Sequence, residues 1–294
     1  MPRVIEYKIT GEYDGMKIYT FMKYKKGFSD RLIRTLKRTE NGILLNGGHA
    51  RTIEILREGD TLSVTMPESE TGIEPIEYSL NIIYEDEDIL VINKPPGLAM
   101  HPTHNHQGDT LANAVAYHLE KEGKSCTFRA AGRLDKGTSG IVTVALNPLS
   151  AAKLNGKVNK EYFAVVKGHP DESGTVDVPI YRPDPMKTLR ACSYEKGVEP
   201  AVTHWNVIEY GDGCALIRLN LETGRTHQIR VHMAHIGHPL AGDTYYGDFR
   251  PEFGHQLLHC GRAELIHPVT GEKMIFEAEI PDEFKKCMNI TNYE

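Results

Sequence analysis

The sequence contains no apolar run approaching the roughly 20 residues that a bilayer-spanning helix needs, which argues against a helical membrane anchor within it. Its opening stretch, MPRVIEYKITGEYDGMK, lacks the apolar core of a secretory signal, so the expected location is the cytoplasm. Cysteine is sparse and unpaired in pattern. The five residues (Cys126, Cys192, Cys214, Cys260 and Cys287) are odd in number and widely scattered. That fits reduced thiols and speaks against a disulfide framework or a cysteine zinc site. Net positive charge is missing as well: the formal charge is −6. A protein that coats nucleic acid indiscriminately is thereby disfavoured, while a local basic patch remains compatible. There is no internal repeat and no low-complexity tract.

What is present is segregated charge. Residues 23–38, KYKKGFSDRLIRTLKR, carry seven basic side chains and one acidic one, whereas residues 67–78 and 84–88 are acidic. The chain of 294 residues has room for two domains. Residues 1–66 read as a compact first unit. Within it, FSDRLIRTLKR predicts a short helix capped by Ser29, with Phe28 stapled onto Ile33. Leu32, Ile33 and Leu36 share one face of that helix, and Arg31, Arg34 and Arg38 share the other. NGILLNG and GDTLSVTM predict short strands. A basic helix face beside a small sheet suits a module that tracks phosphates, although such a face can equally be only solvated charge. Residues 67–79, rich in Pro, Glu, Ser and Gly, read as a linker.

From residue 80 to 294 strands dominate. DILVINK predicts a buried strand, TLANAVAYHLEKEG a helix capped by Asp109 or Thr110, and IVTVALN, EYFAVVKG and CALIRLNLE further strands. THQIRVHMAHIG predicts a helix closed by Gly237, and EKMIFEAEIP a late strand. Helices are too few for regular βαβ alternation. The expected fold is α+β with a mixed, largely antiparallel sheet.

Polar residues gather beside Gly and Pro in four places: INKPPGLAMHP (92–102), AAGRLDKGTSGI (130–141), KEYFAVVKG (160–168) and ETGRTHQIRVHMAHIGHPLAGDTYYG (222–247). Loops at strand ends are the usual home of binding and catalytic groups. In the second place, Arg133 and Asp135 stand two apart before a Gly-Thr-Ser-Gly turn, so on extended chain both point the same way. Read alone, this is either a solvated surface loop or a carboxylate held by a rigid turn. Ser139 lacks the G-x-S-x-G elbow of a nucleophilic serine. The histidine runs at 101–106 and 227–238 form no H-E-x-x-H and have no Cys pair nearby, so no metal site is expected.

These four blocks, in this order, resemble the RluA family of RNA pseudouridine synthases. The family signature His-Arg-Leu-Asp-x-x-Thr-Ser-Gly corresponds to GRLDKGTSG here, with Gly132 in place of the usual His. NKPPGLAMHP and LLHCGRAELIHPVTGE also match, so the resemblance spans about residues 80–285. The first 66 residues resemble, more weakly, the alpha-L RNA-binding module that often precedes this domain.

The resemblance implies a pseudouridine synthase fold and an enzyme that isomerises specific uridines in RNA, with large-subunit (23S) ribosomal RNA the leading substrate. Transfer RNA, or a non-catalytic role in RNA binding or ribosome assembly, are the alternatives. The reaction breaks the ribose–uracil nitrogen bond, turns the base and rejoins it through carbon. No redox change occurs and no phosphate leaves, so no cofactor and no metal are expected. The target must be flipped out of the RNA stack, at a few kcal/mol of unstacking. By analogy, Asp135 acts at the anomeric carbon as nucleophile or base, Arg230 is its cationic partner, and Tyr162 stacks on uracil. Arg133 fills the gap left by the flipped base, and Ile229 walls the pocket. Leu134 reads as core, and Thr138, Ser139 and Gly140 shape the turn. Arg31, Arg34 and Arg38 would contact RNA phosphates. The expected state is a monomer.

Overall fold

The structure, a computed structural model, describes residues 2–67, 72–102, 108–196, 199–247, 250 and 252–288. Two sheets with separate cores organise these residues. The smaller contains β1 (Val4–Lys8), β2 (Ile43–Leu45), β3 (Gly48–His49) and β4 (Thr61–Thr65), paired antiparallel in the order β1-β4-β2-β3. Burial alternates along β1 and β4, as one-sided strands require. Helix Asp30–Leu36 starts where the sequence predicts: the Ser29 hydroxyl accepts from the Leu32 backbone N–H. Phe28, Leu32, Ile33 and Leu36 are buried beneath it. The helix stops two residues earlier than the basic pattern suggests, so Arg38 lies beyond its end.

The larger sheet contains β5 (Ile82–Glu85), β6 (Ile89–Lys94), β7 (Ser139–Ala145), β8 (Asn159–Lys167), β9 (Ser173–Asp177), β12 (Val202–Gly211), β13 (Cys214–Leu221), β14 (Leu258–Ile266) and β15 (Lys273–Glu277). A small separate ribbon is made by β10 (Ile180–Tyr181) and β11 (Ala191–Cys192). The strand order is β5-β6-β7-β14-β8-β13-β12-β9, with β15 added on β14. Among the strands of the described residues only β7 and β14 pair in parallel, so the expected α+β fold with a mixed, mostly antiparallel sheet is what the chain adopts. β7 is buried along its whole length, and Ile89 to Ile92 of β6 are fully buried beside it. Each such aliphatic side chain contributes on the order of 1.5–3 kcal/mol on leaving water. Helix Leu111–Lys121 is capped by Thr110, and helix Gln228–His235 ends before Gly237, both as the sequence predicts.

The two units are in contact. Leu149, from helix Pro148–Leu154, is buried in the core of the smaller unit, and Arg3 grips Asp88 through two nitrogens at 3.1 and 2.7 Å. Residues 68–71 of the expected linker lie outside the described residues. Its remainder runs along helix Leu111–Lys121, where Asn113 donates to the Glu74 carbonyl and accepts from the Ile76 N–H on its own backbone carbonyl.

One glycine sets the position of the central turn. Gly140 has φ +105°, and a Cβ there would lie 2.2 Å from the Cys260 carbonyl oxygen. The parallel pairing of β7 with β14 begins at this point, directly after the Arg133–Asp135 segment. Gly140→Ala is therefore expected to destabilise the protein by about 1–3 kcal/mol, read as a lower thermal midpoint. An unchanged midpoint would show that the two strands can separate freely here.

Candidate active site

The segment before Gly140 opens into a cleft of about 360 Å³. That is within the range of small-molecule pockets, generally about 300–1,000 Å³. Two stretches far apart in sequence build most of it: Ala131–Asp135 with Tyr162 of β8, and residues 221–230 leading into helix Gln228–His235. Arg133, Asp135, Tyr162, Ile229 and Arg230 all line it. Arg133 is exposed and Leu134 is buried in the core, the alternation expected of extended chain. Arg31, Arg34 and Arg38 do not line the cleft; they are exposed on the smaller unit.

The Asp135 turn is held from behind. The Thr138 N–H donates to the Asp135 carbonyl at 3.0 Å. Gln256 donates to the Thr138 hydroxyl, and the Ser139 hydroxyl bonds His259 Nδ1 at 2.8 Å. Both hydroxyls are thus engaged in positioning the turn. Lys94, fully buried at the end of β6, adds a clamp. Its ammonium donates to the carbonyls of Pro95, Leu98 and Lys136 at 2.8, 2.9 and 3.2 Å. Burial pushes Lys94 down to about 7, opposed by the Asp135 charge. Three carbonyl acceptors call for three N–H donors, so the geometry holds the charged form. A lysine in a strand reads as a surface residue, and nothing in the sequence marks this one as buried.

Arg230 departs from the sequence expectation in its main partner. Its Nε and Nη2 form a bidentate pair with Asp243 at 2.7 and 2.8 Å, while Nη1 stands 3.4 Å from Asp135 Oδ2. Asp243 is fully buried and also accepts from the backbone N–H groups of Tyr245 and Tyr246. Burial works against the charge on Arg230, and the Asp243 hydrogen bonds and charge, with help from Asp135, outweigh it. The guanidinium is further enclosed by the rings of Tyr245 and Tyr246, at 5.1 and 5.3 Å. Asp135 therefore faces a cation whose direction is already fixed by another carboxylate.

His227 caps the helix from the left-handed region, at φ 59°. Such a conformation is uncommon for a residue with a Cβ and often marks a functional segment. Its Nε2 is 3.9 Å from Asp135 Oδ2, and its Nδ1 meets the Tyr246 hydroxyl at 2.9 Å. That hydroxyl also accepts from the Arg190 backbone N–H at 2.8 Å, which fixes the ring's position beside Asp135. Burial lowers the His227 pKa, opposed by Asp135, with Arg230 and Arg190 adding to the depression. The neutral ring is the form present at neutral pH. Gln228 ties down the same loop: it accepts from Thr223 and the Arg225 N–H, and donates to the Val202 carbonyl and the Thr203 hydroxyl.

Tyr162 is buried with its ring on the cleft, and no described residue hydrogen-bonds its hydroxyl. Burial raises its pKa well above the ordinary value, with Cys260 and Asp135 adding to the rise. It is a protonated phenol, able to stack and to donate a hydrogen bond. The site thus offers a carboxylate beside a fixed cation and a neutral imidazole, and an aromatic face across the cleft. That is an arrangement for attack or proton removal at an electrophilic carbon next to a planar ring.

His232 of the second histidine run is fully buried and uses both nitrogens structurally, on the Thr203 hydroxyl and the Val178 carbonyl. In the first run, His104 and His106 lie outside the described residues. Among the described residues two other groups bring His and carboxylates close: Glu85, His118 and Glu122, and Asp86, Asp88 and His267. In the second, Asp88 already accepts from Arg3 and Asn147; in the first, Lys124 lies 3.9 Å from Glu85.

Known proteins resemble this chain over most of its length. Residues 88–235 match the RNA pseudouridylate synthase family. An uncharacterized RNA pseudouridine synthase of Bacillus subtilis (strain 168), YjbO, is 42% identical over 282 residues, covering 91% of this chain and 96% of that protein. The ribosomal large subunit pseudouridine synthase D of Haemophilus influenzae is 42% identical over 241 residues, covering 76% and 74%. The structure of human RNA pseudouridylate synthase domain containing 1 superposes with a TM-score of 0.58 at 27% identity, covering 73% of this chain and 90% of that one. No described helix is long and apolar enough to cross a membrane. The chain belongs to the RluA family of RNA pseudouridine synthases and is an isomerase that converts uridine to pseudouridine in RNA.

Proposed function

We propose that this enzyme modifies large-subunit ribosomal RNA, and that Asp135 carries the chemistry at the ribose of a flipped uridine. The observation that supports this most strongly is the Asp135 carboxylate in the cleft, 3.4 Å from an Arg230 guanidinium already locked by Asp243. The charge-assisted contact with Arg230 limits the directions that the carboxylate can face. Tyr162 stacks on the uracil, and of the proton-moving role that the family resemblance implies for its hydroxyl, the protonated phenol supports donation rather than abstraction. Its high pKa makes it a poor base at neutral pH. Ile229 walls the base, and the exposed Arg133 stacks in the gap that the base leaves. Relatives named for the ribosomal large subunit, such as the Haemophilus influenzae protein, support that substrate. The enzyme works in the cytoplasm as a monomer.

The smaller unit, residues 1–66, serves as an alpha-L type RNA-binding module joined by the 67–79 linker to the catalytic domain of residues 80–294. Not every basic residue of its helical region is available for RNA. Lys23 pairs with Asp30 at 2.7 Å, and Lys26 lies over the rings of Tyr7, Tyr13 and Phe21. Arg31, Arg34 and Arg38 remain exposed. Replacing all three with Ala is expected to weaken RNA binding and to lower the slope of log affinity against log salt by about 2. Filter binding at several salt concentrations measures this, and an unchanged slope would remove the helix from the RNA-binding surface.

The substrate assignment is tested with purified protein on large-subunit ribosomal RNA transcripts and on bulk transfer RNA, followed by pseudouridine mapping. The expected result is conversion at one or a few ribosomal sites. Conversion of transfer RNA alone would overturn the ribosomal assignment.

A further inference from the structure

One cation on the cleft wall has no role in the chemistry above. Lys160 lies on β8 two residues before Tyr162, so both side chains leave the same face of the strand. It lines the same cleft. No described residue accepts a hydrogen bond from its ammonium, and none forms an ion pair with it. Other enclosed cations of the protein differ in this respect: Lys94 is saturated by three carbonyls, Lys153 reaches the Pro268 carbonyl, and Arg230 is held by Asp243.

Its surroundings explain the position. Gly132 is exposed, has φ +90°, and lines the cleft next to Arg133. A Cβ at Gly132 would stand 3.3 Å from Lys160 Nζ, so the ammonium sits in the space that a side chain at 132 would use. Lys160 is partly exposed, yet the walls crowd it enough for burial to lower its pKa, with only the Cys260 thiol acting in the other direction. A crowded cation without a counter-ion is unfavourable in the free protein. An anion entering the cleft relieves that cost, and an RNA chain carries one phosphate per nucleotide.

We infer that Lys160 is a phosphate-binding residue, its ammonium holding a non-bridging oxygen of a backbone phosphate that flanks the target uridine. Arg133 next door interacts with the bases, while Lys160 fixes the backbone that the flipped nucleotide hangs from. This rests on the reading of the cleft as the uridine-binding site.

The test uses the full-length enzyme on an RNA that the wild type converts, comparing Lys160→Met, which keeps the length of the side chain, with Lys160→Arg. Lys160→Met is expected to raise KM about tenfold or more, with kcat changed less than about threefold. The salt slope should fall by about 1. Lys160→Arg should recover most of the loss. A methylphosphonate at one flanking phosphate should raise the wild-type KM similarly and have little further effect on Lys160→Met. Unchanged KM and salt slope in Lys160→Met, on an RNA that the wild type converts, would overturn the inference and leave the isomerase site intact. Failure of the wild type on every RNA would overturn the reading of the cleft, and this inference with it. If Lys160→Met does not fold, the wild type decides alone: the absence of any flanking methylphosphonate that raises KM overturns the assignment.

Discussion

Asp135→Asn is expected to fold like the wild type and to lose turnover by about 10⁴-fold or more, the scale seen when a reacting side chain is removed from an enzyme. The substitution keeps shape and changes charge. Asn can still accept from Arg230 Nη1, and Arg230 keeps its bidentate partner Asp243, so no buried cation is left unpaired. The backbone bond from Thr138 that shapes the turn is independent of the side chain. What disappears is the negative oxygen proposed to attack or deprotonate the sugar. Single-turnover conversion measures the chemical step, and a thermal melt checks the fold. A wild-type rate in Asp135→Asn would move the chemistry to another residue.

Asp243→Ala has the second largest expected effect, on stability first. It removes two hydrogen bonds to a guanidinium that is itself buried, and it strips an acceptor from the N–H groups of Tyr245 and Tyr246. Breaking a buried pair from one side costs about 3–5 kcal/mol, because the other charge stays behind. For a protein of this size that corresponds to a fall in the thermal midpoint on the order of 10 °C. Activity should fall too: a released Arg230 would turn toward Asp135 and neutralise the carboxylate more directly. Asp243→Asn, which keeps acceptors but not the charge, should lie between. A midpoint within about 2 °C of the wild type would mean that Arg230 finds another partner, and that its fixed direction does not depend on Asp243.

The contrast between Asp135 and Asp243 shows what a sequence can reveal. Asp135 stands in a short, ordered motif whose spacing fixes its direction relative to Arg133. Asp243 lies 13 residues from Arg230 across an irregular loop, and only the folded chain brings the two together. Local features were legible in the same sense. Ser29 and Thr110 cap their helices because the capping bond spans three residues. The alternation in β4 and the apolar run of β6 marked those strands. β1 and β14 were not anticipated as strands, since their pairing partners lie far along the chain: Val4 opposes Thr65, and Cys260 opposes both Gly140 and Tyr162. The histidines posed a similar problem. Their runs carry no metal motif and no other local signal of a role, and only the fold assigns them: His232 to backbone and hydroxyl partners, and His227 to Tyr246 and the Asp135 side of the cleft. Lys94 and Lys160 illustrate a further limit. Both are lysines in quoted motifs, but one is saturated by carbonyls and the other has no partner among the described residues, a difference carried entirely by packing.

The most direct test of the account is pseudouridine mapping of total ribosomal and transfer RNA from cells with and without this gene, complemented by the wild type or by Asp135→Asn. The predicted result is loss of one or a few large-subunit ribosomal sites, restored by the wild type and not by the variant. Restoration by Asp135→Asn, or no site lost in either RNA pool, would contradict it.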